Sequence, residues 1–83
     1  MAVYVNKLRR RFGGLMLCHL LADTEQELHA MAVRLGLDRC LFQPGDLPHY
    51  DISPGKRALA LATGAVEIDR RQLAKLIRCY DQR

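Results

Sequence analysis

The sequence predicts an α/β fold: a small sheet of about four strands, mostly parallel, with three helices in two or three layers. Short apolar runs alternate along the chain with segments whose apolar residues recur at helical spacing. This alternation favours right-handed crossovers between parallel strands. No linker or repeat divides the chain, so we predict one α/β domain over residues 1–83.

The strands are predicted at residues 2–5, 15–22, 40–43 and 65–68. The second of these runs is almost continuously apolar, which is typical of a strand covered on both faces. Residues 7–14 are a basic loop too short for a crossover helix, so the direction of the first strand stays open. Residues 44–52 contain two prolines and a glycine and are predicted to be a loop.

Each helix is predicted from a capping residue and an apolar stripe. Thr24 and Glu27 have the spacing of a capping box before a helix over residues 25–35. The second helix begins after Ser53 and ends at Gly64, and the third begins after Asp69. These local signals define the three helices independently of the sheet.

Composition and charge exclude several classes of protein. Hydrophobic residues make up 49% and charged residues 27% of the chain, which argues against disorder and fibrous repeats. The net charge of +4 is unevenly placed: residues 1–14 carry four cations and no acid, and residues 70–83 carry five cations and one acid. The basic ends suit an anionic partner.

The cysteines and the apolar runs indicate the compartment. Cys18, Cys40 and Cys79 are an odd number without CxxC spacing and are predicted to be buried thiols, not disulfides. No apolar run reaches the roughly 18 residues of a membrane span. We therefore expect a cytoplasmic protein with no membrane partner.

Four cations stand in the first turns of two predicted helices. Lys56 and Arg57 begin the second helix, and Arg70 and Arg71 begin the third. The helix dipole disfavours exposed cations there by about 0.3–1 kcal/mol each. A basic pair beside unpaired backbone N–H groups therefore indicates an anion site, although pairing with nearby acids such as Asp69 is the alternative.

A second group of candidate residues lies at predicted strand ends. His49, Tyr50 and Asp51 precede the second helix, and His19 and Asp23 end the second strand. Because ligands bind at the carboxyl ends of parallel strands, we expect these residues to converge on one depression with Arg57. The alternative is structural: Tyr50 packs on the core, Asp51 forms a turn, and His19 is a hydrogen-bonded core residue.

The histidines and carboxylates carry no metal motif. His19, Asp23, His49 and Asp51 are ligand types for a divalent ion, but their spacing matches no known signature. We therefore predict no metal ligands, and neither a cofactor nor catalytic residues are assigned. His29 faces away from the apolar stripe of its helix and is predicted on the surface.

A series of motifs extends over essentially the whole chain. They are MAVYV at 1–5, CHLLAD at 18–23, ELHAMA at 27–32, FQ at 42–43, PHYD at 48–51, KRALA at 56–60 and GAVE at 64–67. Their order resembles the small bacterial and phage family called domain of unknown function 4031. The resemblance implies the segment boundaries and a pocket, but no reaction. It also implies an Asp in typical members where this chain has Asn6, and a different loop from Arg9 to Arg11.

The function predicted first is a binding domain for a phosphate-bearing molecule, a nucleotide. Lys56 and Arg57 would hold phosphate, His19 and His49 would hydrogen-bond the ligand, and Tyr50 would stack on the base. The phage distribution implied by the resemblance makes action against a host defence one setting for such a domain.

Two other functions stay open. The second is a phosphodiester or nucleotide hydrolase, with His19 or His49 as general acid or base and a neighbouring Asp orienting it. The third is an interaction module that contacts a host protein or a nucleic acid through Arg9, Arg10 and Arg11.

Overall fold

A computed structural model describes residues 2–10 and 14–81. Six strands and three helices follow one another in it. They are β1 Val3–Val5, β2 Arg9–Arg10, β3 Met16–Ala22, α1 Glu25–Arg34, β4 Phe42–Gln43, β5 His49–Ile52, α2 Pro54–Ala62, β6 Val66–Glu67 and α3 Arg70–Asp81. A short 3-10 turn, Arg39–Leu41, precedes β4. Of the predicted basic run, Arg11 lies outside the described residues.

The α/β class with three helices is confirmed, but the prediction of about four mostly parallel strands is partly wrong, because the sheet of the described residues is mixed and has six strands. Its order is β4-β5-β3-β1-β6, with β2 paired to β3 beside this path. Among the strand pairs of the described residues, only β1 and β6 are parallel. The neighbours β4–β5, β5–β3 and β3–β1 are all antiparallel.

The helices nevertheless connect strands that run in the same direction. β3 and β4 are joined through α1, and both run antiparallel to β5, which lies between them. β5 and β6 are joined through α2, and both run antiparallel to β3. Each crossover therefore skips at least one strand, and each gap contains one strand of opposite direction, β5 in the first and β3 in the second.

Strand β5 replaces part of the predicted loop. His49–Ile52 alternates half-buried and buried residues, which is the period of a strand with one covered face. It forms a hairpin with β4 and lies beside the long strand β3. The prolines of this segment, Pro44 and Pro48, both lie outside the strand, where they remove no ladder hydrogen bond.

Two hydrophobic clusters on opposite faces of the sheet give three layers. One cluster packs α1 and α2 against the sheet through Val5, Leu20 and Leu28, all fully buried. The other packs α3 against the opposite face through Leu21, Ile68 and Leu76. Because successive side chains of a strand point to opposite faces, Leu20 packs on the side of α1 and α2 and Leu21 packs on the side of α3.

The helix boundaries agree with the sequence prediction. The Thr24 side chain accepts from the backbone N–H of Glu27, and Ser53 does the same for Lys56. Gly36 has a φ of 74°, the left-handed conformation that ends α1. The capping signals therefore located the helices although the sheet was predicted wrongly.

Two smaller predictions are corrected by burial. Cys18 is buried, but Cys40 and Cys79 are exposed, and all three thiols are free. His29 is half-buried rather than on the surface, because its ring packs edge-on against Phe42. Within the part of the chain that the structure describes, no helix is long and apolar enough to cross a membrane.

Candidate functional site

Three predicted residues, His19, His49 and Asp51, form a cluster on the face of the sheet that carries α3. His19 lies opposite Asp51 in the antiparallel pair of β3 and β5. Directly opposed residues point to the same face, and so do His49 and Asp51, which are two residues apart on β5. The pairing of strands therefore brings the cluster together, not a loop at strand ends.

The Asp51 carboxylate lies between the two imidazoles. Its Oδ1 is 2.8 Å from Nδ1 of His19 and 3.7 Å from Nε2 of His49. The two rings meet edge-on, with 4.3 Å between their centroids. The side chains are 20–29% exposed, so solvent reaches the cluster.

Two further groups orient this cluster. Nε2 of Gln43 on β4 donates to Oδ2 of Asp51 at 2.8 Å. Nδ1 of His49 lies 2.9 Å from the carbonyl of Leu47, and because a carbonyl only accepts, this nitrogen carries the proton. The carboxylate and the His49 ring are thus fixed by their surroundings. Gln43 was not predicted as a site residue; its position opposite His49 is visible only in the register.

Asn6 supports the cluster from the opposite side of β3. Its Oδ1 accepts from the backbone N–H of His19 at 2.7 Å, and its side chain is buried. A polar residue directly after a short apolar strand was the signal that could have identified it, since buried polar side chains are usually hydrogen-bonded.

A basic depression of about 360 Å³ lies beside Asn6. Its charged walls are Lys7, Arg9 and Arg70, with Asp69 as its acid, and the remaining residues that line it are Asn6, Ile68 and Leu73. Arg9 lies opposite Leu17, two residues from His19 on β3, so the depression and the cluster share one face of the sheet.

Asp23 and Tyr50 are predicted site residues that do not join the cluster. Asp23 accepts a hydrogen bond from the Tyr4 hydroxyl at 2.8 Å, and burial together with this contact raises the pKa of Tyr4 to about 12. Tyr50 is buried on the α1 side of the sheet, where its hydroxyl is 2.8 Å from Nδ1 of His29. Its ring is therefore in the core and does not form a stacking surface.

Lys56 and Arg57 are engaged in internal contacts. Nζ of Lys56 donates to the carbonyl of Leu35 at the end of α1. Nε of Arg57 donates to the carbonyl of Asn6 at 3.1 Å, and its Nη2 lies 3.1 Å from Oε1 of Glu67. Arg57 thus lies across the sheet from the cluster and is not among the residues that converge there.

Comparison with known protein families gives a match over most of the chain. A family model described as "Protein of unknown function (DUF4031)" matches residues 3–80 of the chain. Comparison with curated proteins and with solved structures gives no match.

Proposed function

The chain belongs to the DUF4031 family, and we propose that it binds a phosphate-bearing molecule, a nucleotide, on the α3 side of its sheet. One observation carries the proposal: Lys7, Arg9 and Arg70 line a single depression beside the cluster of His19, His49 and Asp51. Cations gathered around one depression raise the local concentration of an anion and supply its hydrogen bonds. The anion site is thus proposed at these three residues and not at Lys56 and Arg57.

The three cations are available to a ligand. Among the residues that the structure describes, none of them takes part in an ion pair. Asp69, the acidic residue of the depression, accepts through Oδ1 from the backbone N–H of Gln72 at 2.9 Å and so caps the N-terminus of α3. Arg70 lies in the first turn of α3, where the helix dipole favours an anion but not a cation. A bound phosphate would offset this unfavourable position.

The remaining walls suit the rest of a nucleotide. Ile68 and Leu73 give the depression an apolar side against which a base or sugar can pack. Beyond Asn6, the imidazoles and the carboxylate of the cluster provide hydrogen-bonding groups on the same face. A ligand with an anionic and a less polar part fits this layout better than free phosphate.

The test is a thermal-shift and calorimetric titration with AMP, ADP and ATP in the presence of EDTA. A ligand that binds only the folded state stabilises it by about 2.7 kcal/mol at 100 times its Kd. The variant Lys7→Ala/Arg9→Ala/Arg70→Ala should weaken binding by about ten- to a hundredfold, because charge-assisted contacts are lost. The matched control Arg34→Ala/Arg39→Ala/Arg78→Ala removes the same charge from exposed positions elsewhere.

Three outcomes would contradict the proposal. Absence of binding by every nucleotide would reject it, and so would an equal loss in both triple variants, because the effect would then be one of net charge. Tight binding of a generic DNA duplex, with a salt slope of about −0.9 per phosphate contact and no nucleotide binding, would instead support nucleic-acid recognition.

A second candidate function is hydrolysis of a phosphoester at the same place. The contact between Nδ1 of His19 and Asp51 favours it, because a carboxylate that holds an imidazole is the usual arrangement of a general base. Product formation from ATP or a model phosphodiester would support it, provided that His19→Gln abolishes turnover and retains nucleotide binding. Nucleotide binding without turnover at every metal concentration tested would contradict hydrolysis and support the binding function.

A further inference from the structure

The tautomer of the neutral His49 ring is fixed by the backbone next to it. Its Nδ1 lies 2.9 Å from the Leu47 carbonyl, so the proton is on Nδ1 and the neutral ring has its lone pair on Nε2. Pro48, between these two residues, is buried and has a fixed φ, which holds the ring relative to the carbonyl. The strand therefore presents Nε2 of His49 as an electron-pair donor.

That lone pair faces another electron-rich atom. Nε2 of His49 is 3.7 Å from Oδ1 of Asp51, too far for a hydrogen bond and close enough for the two atoms to repel when the imidazole is neutral. A cation between them would remove the repulsion. The polar surroundings of the cluster are thus arranged for a positive charge.

The spacing of the donor atoms fits a metal ion. His19, His49 and Asp51 each offer one ligand atom, and these three atoms lie within 4.8 Å of one another. Ligand atoms about 2.0–2.2 Å from a tetrahedral zinc ion are about 3.3–3.6 Å apart. The two separations from Oδ1 of Asp51, 2.8 Å and 3.7 Å, lie on either side of this value. Small rotations of the side chains would close the set around an ion, and the ion would displace to solvent the proton that now lies between Nδ1 of His19 and Asp51.

Groups around the three residues resemble the outer shell of metal sites. The Leu47 carbonyl accepts a hydrogen bond from Nδ1–H of His49, and Gln43 donates to Oδ2 of Asp51. Metal-binding histidines and carboxylates are usually held in this way, which fixes the tautomer and the ring orientation. Partial exposure leaves room for a water or a ligand at an open position.

From these four features we propose that His19, His49 and Asp51 bind a divalent transition-metal ion, with Zn²⁺ as the preferred ion. Two imidazoles and one carboxylate are a ligand set of zinc sites that keep a fourth position open. Mg²⁺ and Ca²⁺ prefer oxygen ligands and are expected to bind much more weakly. The site does not depend on the phosphate depression, since it uses none of that depression's cations.

The experiment titrates Zn²⁺ and Co²⁺ into the full chain in a buffer free of phosphate. A Cys40→Ser/Cys79→Ser background removes the two exposed thiols that could bind zinc adventitiously. We expect one Zn²⁺ per chain by calorimetry and visible d–d bands of Co²⁺. His49→Gln and Asp51→Asn should weaken binding by at least about 100-fold, and Gln43→Ala by roughly 10- to 100-fold. The matched control His29→Gln, which removes an imidazole on the other face, should change it by less than about threefold.

Nuclear magnetic resonance of the unsubstituted chain tests the site even if a variant fails to fold. Zinc should shift the imidazole signals of His19 and His49 and leave those of His29 in place. Failure of zinc to bind, equal affinity in the His49→Gln variant, or a shift of His29 alone would overturn the proposal. Because nucleotide binding is measured in EDTA and zinc binding without phosphate, each proposal can fail while the other holds.

Discussion

The guanidinium of Arg57 is bound to the backbone carbonyl of Asn6, to which its Nε donates at 3.1 Å. Its Nη2 also lies 3.1 Å from Oε1 of Glu67, and the Arg57 side chain is only 16% exposed. One side chain of α2 therefore connects that helix to the ends of β1 and β6. These contacts account for a cation in the first turn of a helix, where the dipole disfavours it.

Arg57→Ala should lower the free energy of unfolding by about 1.5–3 kcal/mol, because it removes charge-assisted hydrogen bonds from a mostly buried position. Urea denaturation measures the change. The control Glu67→Gln should cost less than about 1 kcal/mol, since the Glu67 carboxylate is 49% exposed and its ion pair is screened. An Arg57→Ala variant of unchanged stability that binds nucleotide weakly would restore the anion site to α2.

We predict that the side-chain oxygen of Asn6 stabilises the fold. Asn6→Ala leaves the backbone N–H of His19 without the acceptor that now lies 2.7 Å away, and an unsatisfied buried donor costs about 1–3 kcal/mol. Asn6→Asp keeps an oxygen there and should lose less. Amide hydrogen exchange reads the contact directly: exchange at His19 should be faster in the alanine variant only. Equal protection in all three proteins would show that the bond is unimportant.

Sequence patterns predicted the helices well because their signals are local. The capping box of Asp69 and Gln72, for example, is formed by residues three apart that bond to each other. Strand direction depends on pairing between distant residues, and nothing local indicates that β5 inserts beside β3. The alternation in His49–Ile52 was a usable signal, but the flanking prolines favoured a loop.

The candidate site was predicted in part for the same reason. His19, His49 and Asp51 were predicted to converge with Arg57; the three lie together without Arg57, and they meet through antiparallel register and not at parallel strand ends. Lys56 and Arg57 break the helix-dipole rule, which indicates a compensating partner without identifying it. Their partners are backbone carbonyls distant in sequence, and only tertiary structure reveals them.

The buried thiol of Cys18 should resist alkylation. Burial raises its pKa to about 11, although the positive charge of Arg57 partly opposes the shift. Since the thiolate is the nucleophile, Cys18 should stay unmodified by iodoacetamide at pH 8 while the exposed Cys79 reacts. Mass spectrometry of peptides from the native and urea-unfolded protein checks this, and modification of Cys18 at the rate of Cys79 in the folded state would contradict it.

His29 should make stability depend on pH. Burial lowers the pKa of its imidazole below the ordinary 6.5, the charge of Arg39 lowers it further, and Glu25 partly opposes the shift. The unfolded chain therefore binds a proton on His29 at a higher pH than the folded chain does. The contribution of neutral His29 to the free energy of unfolding is therefore fully present above about pH 6.5. It is lost as the pH falls from there through the lower pKa of the folded state.

The comparison of unsubstituted protein with His29→Gln isolates this effect, because His19 and His49 are present in both. In the unsubstituted protein the Tyr50 hydroxyl lies 2.8 Å from Nδ1 of His29. A glutamine at this position can still hydrogen-bond that hydroxyl, but the glutamine side chain does not titrate. Unfolding free energies from urea titrations between pH 7.5 and 5 should fall more steeply for the unsubstituted protein. Parallel curves, or an imidazole titration of His29 at or above the ordinary pKa, would refute the proposed direction.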